Sequence, residues 1–440
     1  MNRRKGAILA ATLGAVTIGG LVVVSQPRID AASVATVGQD PLSLATDAHA
    51  GHAFVVNLND GRTTGTVTML TLTNGMVQRT IPVGHFPRGI VVDEGRARAF
   101  VINSAAPWLS EAASMSILDT QSGRERGRTP LGDSPSFVGI DRRAGRVLAS
   151  MTYGHMDGRV QIVDVTTGRV VRTVTLGFNP RAMAVDEQRG RALVIGSDRA
   201  YAGRLAVLDT HTGHLLRDAK LGGFASSAIA VDTRGGHTFV ATVAGSGGAC
   251  VTPGRVCHTP GTVTIRNTSN GRALRSVAVG DNPSTIVVDE RTQRVFVVNT
   301  GTNEGDVGTV SVLDAVTGHL VRTTTLGHEP TGAAVDTRRG RVYVANSTSN
   351  TVSVLDARSG QLLGAIPVVG GPAAVAVDEG TGHVFVSSND VSSDTYLALR
   401  HPDDFFGKIG FYSTELTNKL RILRKGRTGT VSMFDAQKIP

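Results

Sequence analysis

Apolar residues along this chain come in short runs, some alternating with polar residues and some apolar throughout, each cut off by a turn bearing glycine or aspartate. Long stretches of helical periodicity are scarce, so the pattern predicts short β-strands joined by tight turns. Four kinds of run recur in a fixed order. The first ends in an apolar–Asp step, as in GIVVD to Asp93, AMAVD to Asp186, AIAVD to Asp232, TIVVD to Asp289 and AVAVD to Asp378. The second reads like VFVVN, at residues 295–299 and 342–346. The third reads like TVSVLD, at 309–314, 351–356 and 430–435, and the fourth like VRTTTLG, at 171–177 and 321–327.

Aligned on their G-x-x-P and V-D landmarks, the runs form eight units, beginning near Gly38, Gly84, Gly132, Gly177, Gly222, Gly280, Gly327 and Gly370. Four antiparallel strands recurring at about 45 residues predict an all-β chain, a β-propeller of four-stranded blades, eight-bladed on this count. First strands are small and apolar on both faces, which suits the innermost position. Second strands carry one bulky residue at a fixed position: Phe54, Phe100, Leu148, Leu193, Phe239, Phe296, Tyr343 and Phe385. Filling the wedge between blades accounts for that stripe. Unit eight lacks a fourth run, and residues 32–38, ASVATVG, match the missing pattern. Pairing them with the last run would close the ring and remove its open edges.

Residues 340–363, GRVYVANSTSNTVSVLDARSGQLL, contain YVAN, then TVSVLD, then SGQLL. This stretch resembles the YVTN family of β-propeller repeats, with Ala345 in place of the threonine. Looser versions, FVVN and FVIN, end at Asn57, Asn299 and Asn103. The resemblance covers nearly everything from Ala32 to Ala436. It implies a propeller of seven blades, the alternative to the eight units counted. It also implies an exported bacterial or archaeal protein, similar to surface-layer, lactonase-like and copper-reductase propeller domains.

The N-terminus bears on compartment. MNRRK precedes an uncharged apolar run, residues 6–24. A basic lead before such a run is the layout of an export signal or anchor. Residues 1–29 are therefore expected to be a signal anchor or signal peptide with a short linker, forming one hydrophobic helix. Residues 30–440 are expected to be a single propeller domain outside the cytoplasm, membrane-anchored, or secreted if the signal is cleaved.

The formal charge is +9 and aromatics make up only 4% of the 440 residues. Arginines are spaced rather than clustered, and stacking aromatics are few, so nucleic acid is not an expected partner. Many of the arginines fall in the turns between first and second runs, among them Arg96, Arg142, Arg189, Arg291 and Arg339. They form either a solvated turn surface or a face turned toward anionic head groups.

An up-and-down blade sorts its turns onto two faces. First-to-second and third-to-fourth turns share the bottom; second-to-third turns and inter-blade loops share the top. The insertions, 104–113, 152–157, 243–260, 300–307 and the long 389–427, fall on the top. Loops with latitude on a rigid scaffold are where binding resides.

Candidate chemistry is thin. An Asp closes every first run (Asp47, Asp93, Asp141, Asp186, Asp232, Asp289, Asp336, Asp378), and an eightfold carboxylate reads as turn capping. Cys250 and Cys257 are expected to form a disulfide in the fifth top loop. His85, Asp133, Asp281, His328 and Glu329 lie in inter-blade loops around the channel mouth and are candidate ligand residues, with a metal left unspecified. Trp108 and the Phe405–Phe406 pair bring aromatics to top loops. Asx-rich stretches at 57–61 and 387–394 leave Ca²⁺ as an option; no other cofactor is expected. The expectation is a monomeric, non-enzymatic scaffold binding a protein or cell-surface ligand through its top face. The alternative is a lactonase- or lyase-type enzyme with its site at the channel mouth.

Overall fold

The computed structural model describes residues 17–18, 21–22, 33–59, 63–104, 112–132, 134–152, 158–243, 260–302, 306–389 and 428–436. Eight antiparallel four-stranded sheets form a ring, and in seven of them each strand pairs with its sequence neighbour. Blades one to seven occupy residues 41–82, 87–130, 134–175, 179–220, 224–281, 283–328 and 330–367. Blade seven is representative, with strands Pro330–Asp336, Arg341–Asn346, Thr351–Asp356 and Leu362–Pro367. Blade eight combines Gly371–Asp378, His383–Asn389 and Thr430–Asp435 with Ser33–Thr36 as its outermost strand. In that pairing Ser33 lies opposite Met433 and Thr36 opposite Thr430.

The blade count is eight, so the seven-bladed alternative does not hold for this chain. The hydrophobic helix expected before the propeller lies outside the described residues, apart from a two-residue antiparallel pair, Thr17–Ile18 with Leu21–Val22. Among the described residues, no helix is long and apolar enough to cross a membrane.

The core lies between blades. All eight bulky second-strand residues are fully buried. Phe54, for example, packs with Val92, Ala99 and Leu118 of the next blade. Each such burial contributes about 2 kcal/mol by area, and the eightfold repetition holds neighbouring sheets face to face.

A second device works at the rim, at the third-to-fourth turns. Gly360 has φ +70°, and a Cβ there would sit 2.5 Å from Val312 Cγ2 in the preceding blade. The same backbone carries a handhold for its neighbour: Arg322 Nε donates to the Ser359 carbonyl at 3.1 Å, and the Thr324 hydroxyl to the Gly360 carbonyl at 2.7 Å. Blades two and five repeat it with Thr129 to Gly168 and Arg275 to Thr317. At the seam of blades eight and one, the Ser33 hydroxyl donates to the Asn74 carbonyl, and a Cβ on Gly75 would sit 3.3 Å from Met433 Sδ. The outermost strand of blade eight thus carries the same contact as the others.

The asparagine ending a VVN-type strand has a structural role. Asn57, Asn103, Asn299 and Asn346 are buried, and each donates its amide to two hydroxyls on the third strand. The glycine opening the inter-blade loop lies against this side chain. A Cβ on Gly38, Gly84 or Gly327 would come within 2.6–2.8 Å of Asn Cβ, and one on Gly280 within 2.7 Å of Asn Nδ2. Motif asparagine and loop glycine are therefore two halves of one contact.

Candidate functional site

The bottom face is built from aspartate caps and arginines that reach across seams. Asp186 Oδ1 accepts the Arg189 amide at 3.0 Å, and Asp141 Oδ1 accepts that of Ala144 at 2.8 Å. All eight closing aspartates are buried, and their oxygens accept turn donors. This is the capping role expected of them. Arg96 Nη1 reaches the Arg142 carbonyl in the next blade, at 3.2 Å. Arg142 in turn pairs with Glu187. Arg189 continues to the Thr233 carbonyl, the Thr233 amide to Glu290, Arg291 to the Thr337 carbonyl, and Arg339 to the Glu379 carbonyl. From blade two to blade eight these contacts run seam to seam. The arginines are more than a solvated fringe.

The top mouth of the channel is organised differently. Four inter-blade loops place a non-glycine residue at φ between +46° and +50° just before proline: Asp40, Phe86, Asn282 and Glu329. Every first strand then slips register against the second near its start. In seven blades the slip begins at the residue after proline: Leu42, Arg88, Ser136, Arg181, Ser284, Thr331 and Ala373. A bulge re-aims a side chain out of the ladder. Because first strands run from top to bottom, these residues sit at the mouth. Two are arginines, half-buried, on blades two and four. Arg181 Nε donates to the Ser197 hydroxyl at 3.3 Å. Three others carry hydroxyls; Thr331 donates to the Pro372 carbonyl at 3.2 Å, and Thr285 to the Thr331 carbonyl at 2.9 Å. Five of the seven slipped positions thus carry guanidinium or hydroxyl groups.

The residues singled out from sequence are distributed rather than convergent. His85 lies in the loop from blade one to two, and Asp281 ends the outer strand of blade five, on the opposite side of the ring. His328 ends the outer strand of blade six, and its amide donates to the Ser349 hydroxyl at 2.6 Å. Glu329 accepts from the Thr348 hydroxyl at 2.6 Å and so ties its loop to blade seven. Among the described residues, no three His, Cys, Asp or Glu side chains form a group able to hold a metal ion. In the Asx-rich stretches considered for Ca²⁺, Asn57 is spent in the strand ladder and Ser387, Ser388 and Asn389 are buried. Asp133, Trp108, Cys250, Cys257, Phe405 and Phe406 lie outside the described residues, as does the insertion beyond Asn389. Arg88 and Arg181 were not anticipated; the signal available was a charged residue following the loop proline, P-R, in two units.

A model of the family "Lactonase, 7-bladed beta-propeller" matches residues 261–392, under a third of the chain. No curated protein matches the sequence. Among solved structures, the chain is similar to the Kuenenia stuttgartiensis hydrazine synthase, with TM-score 0.52 and 14% identity over 84% of this chain and 96% of that one. It is similar to BamB from Moraxella catarrhalis, with TM-score 0.55 and 14% identity over 82% and 97%. It is similar also to the Dos1 propeller, with TM-score 0.60 and 9% identity over 92% and 94%. At these identities the likeness is one of fold.

Proposed function

We propose that this chain is an exported, YVTN-like propeller scaffold, tethered to a membrane through residues 1–29, that binds a ligand or protein partner with its top face. The observation carrying this reading is the asymmetry of the two faces. Bottom arginines reach carbonyls of neighbouring blades, and the closing aspartates cap their own turns. All the long second-to-third connections leave from the top: Asn103 to Ser114, Thr152 to Arg159, Val243 to Pro260, Asn299 to Val307 and Asn389 to Thr430. A rigid ring with variable loops on one side is the arrangement of a binding scaffold. Ser33 lies at the bottom end of its strand, and eight residues separate it from the apolar run ending at Val24. That linker spans at most about 27 Å, which favours a bottom face turned toward the membrane and a top face turned away.

The test is topological and functional together. An epitope inserted in 390–427 is expected to be labelled on intact cells, and one in the turn at 143–144 to be shielded. The reverse pattern overturns the orientation. Deleting 390–427 is expected to abolish crosslinked partner capture, while Arg189→Ala leaves it intact. Equal capture by both variants removes the top-face assignment.

The family match over 261–392 favours a second reading, an enzyme of lactonase type working at the mouth. It requires turnover of simple lactones by the purified chain, lost on substituting Arg88 and Arg181 with alanine. No turnover eliminates it.

A further inference from the structure

Read in register, the penultimate position of the third strand is apolar and fully buried in seven blades: Leu70, Leu118, Val163, Leu208, Leu313, Leu355 and Phe434. In blade five it is Arg266, which is 6% exposed. The residue opposite it on the second strand is also changed. Seven blades have alanine or valine there, and blade five has Thr238. Arg266 Nη1 donates to the Gly271 carbonyl at 3.0 Å, while its buried Nε has no partner among the described residues. Among the described residues no carboxylate pairs with it; the charge that acts on it is a second cation, Arg217. Burial and that neighbour both weaken its hold on the proton. A guanidinium buried without a counter-ion is destabilising, so its presence in a core position calls for an anion.

A cleft lies beside it. About 440 Å³ in volume, it is lined by Thr242, Thr262, Thr264, Ser276, Arg266 and the Gly222–Gly223 backbone. Thr242 occupies the position of the ladder asparagine, facing Thr262 as Asn57 faces Thr66. The amide that fills this space in blades one, two, six and seven is missing here. Thr264 and Ser276 hydroxyls lie 3.1 Å apart across the third and fourth strands. Thr242 in place of the asparagine and Arg266 in place of an apolar residue, in one blade and on one face, thus open a polar cleft and set a cation in its wall. The volume is in the range of small-molecule sites, roughly 300–1,000 Å³.

We propose that this cleft between blades four and five is a binding site for a small ligand bearing a carboxylate or phosphate group, held by Arg266 with the Thr264 and Ser276 hydroxyls. A guanidinium matches either oxyanion through paired N–H donors. The site is separate from the channel mouth and does not depend on the function proposed above.

Thermal unfolding of the full-length protein tests it, with sodium phosphate, sodium sulfate and sodium succinate each set against sodium chloride at equal ionic strength. At least one oxyanion is expected to raise Tm by several degrees with a saturable dose dependence, and the effective arm separates phosphate-like from carboxylate ligands. Arg266→Leu restores the residue type of the other blades. It is expected to be at least as stable as wild type without anion and to lose the saturable shift. The paired variant Thr264→Val with Ser276→Ala keeps the charge and is expected to raise the midpoint concentration about tenfold, one to two hydrogen bonds' worth. No saturable shift with any of the three anions overturns the proposal. So does an unchanged shift in Arg266→Leu or, should that variant not fold, an unchanged midpoint in the paired one.

Discussion

The side-chain amide of Asn346 donates to the Ser353 hydroxyl across the second and third strands of blade seven, at 2.9 Å, with both residues buried. Thr351 takes the amide's other bond at 3.1 Å. Blade eight breaks this pattern. Ser388 stands where the asparagine would, opposite Thr430, and Ser432 stands where Ser353 does. Among the described residues neither serine hydroxyl has a partner, and both are buried. Asn346→Ala is expected to cost about 2 kcal/mol, since two hydroxyls lose their donor in a sealed seam. Ser388→Asn is expected to stabilise by about 1 kcal/mol, by supplying the missing donor. Chemical denaturation of both variants checks the pair, and a destabilised Ser388→Asn would sink the equivalence of the two positions.

Much of this was legible in the chain because the period-2 alternation, the loop glycines and the closing aspartates recur in register. Phe54 and its seven counterparts could be assigned to the wedges because a residue repeated eightfold has to serve the repeat. What could not be read was which polar groups find partners in the neighbouring blade. Arg189 sits in a polar turn like any surface arginine, and its acceptor, the Thr233 carbonyl, is 44 residues away. The bulges that bring Arg88 and Arg181 to the mouth leave the apolar pattern intact, because one unpaired residue after proline shifts register without changing composition. Arg266 was visible in principle, as TVTIRN set against TVSVLD. It stands out only when the column, and not the local turn, is compared.

Tyr343 gives the repeat motif its first letter, yet its hydroxyl contributes nothing that the structure uses. The ring is fully buried and packs on Phe434 with centroids 5.9 Å apart. Among the described residues its hydroxyl oxygen has no hydrogen-bond partner. Burial, then the charge of Asp336, pushes its pKa well above the ordinary tyrosine value. Five other blades place phenylalanine at this position. Tyr343→Phe is accordingly expected to stabilise the protein by about 1 kcal/mol, by removing a desolvated hydroxyl. A loss of stability in thermal melts would mean that the hydroxyl has a bound partner in solution.

Gly360 and Gly51 separate backbone strain from packing. Both have positive φ, +70° and +74°. A Cβ on Gly51 meets nothing within 4 Å, whereas one on Gly360 meets the stiff Val312 side chain at 2.5 Å. Gly51→Ala is expected to cost about 1 kcal/mol, from the left-handed backbone alone. Gly360→Ala is expected to cost that plus about 2 kcal/mol of overpacking at the seam. Equal losses in denaturant titrations would show that the rim turn does not bear on its neighbour.

Acid is expected to loosen the third-to-fourth turns. Burial alone would raise the Asp119 carboxyl, but the Ser122 amide and hydroxyl and the Arg126 guanidinium outweigh it and hold the pKa at about 2, down from 3.8. Asp209, Asp314 and Asp356 are lowered in the same way: burial opposes, and donors from Thr212, Thr317 and Ser359 prevail. Asp164 is lowered chiefly by the Thr167 amide. A carboxyl depressed on folding contributes stability above its unfolded pKa and loses it as pH falls through the folded one. Tm should therefore be flat above about pH 5 and fall between pH 4 and pH 2. Asp119→Asn isolates one member. Blade five already carries Asn267 in this place, accepting the Asn270 amide at 3.2 Å, so the turn is expected to survive. Because Arg126 is 53% exposed and its attraction is screened, the variant should lose no more than about 1 kcal/mol at pH 7. The gap should close as wild type is protonated near pH 2. A difference that stays constant from pH 7 to pH 2 would show that charge on Asp119 does not stabilise the fold.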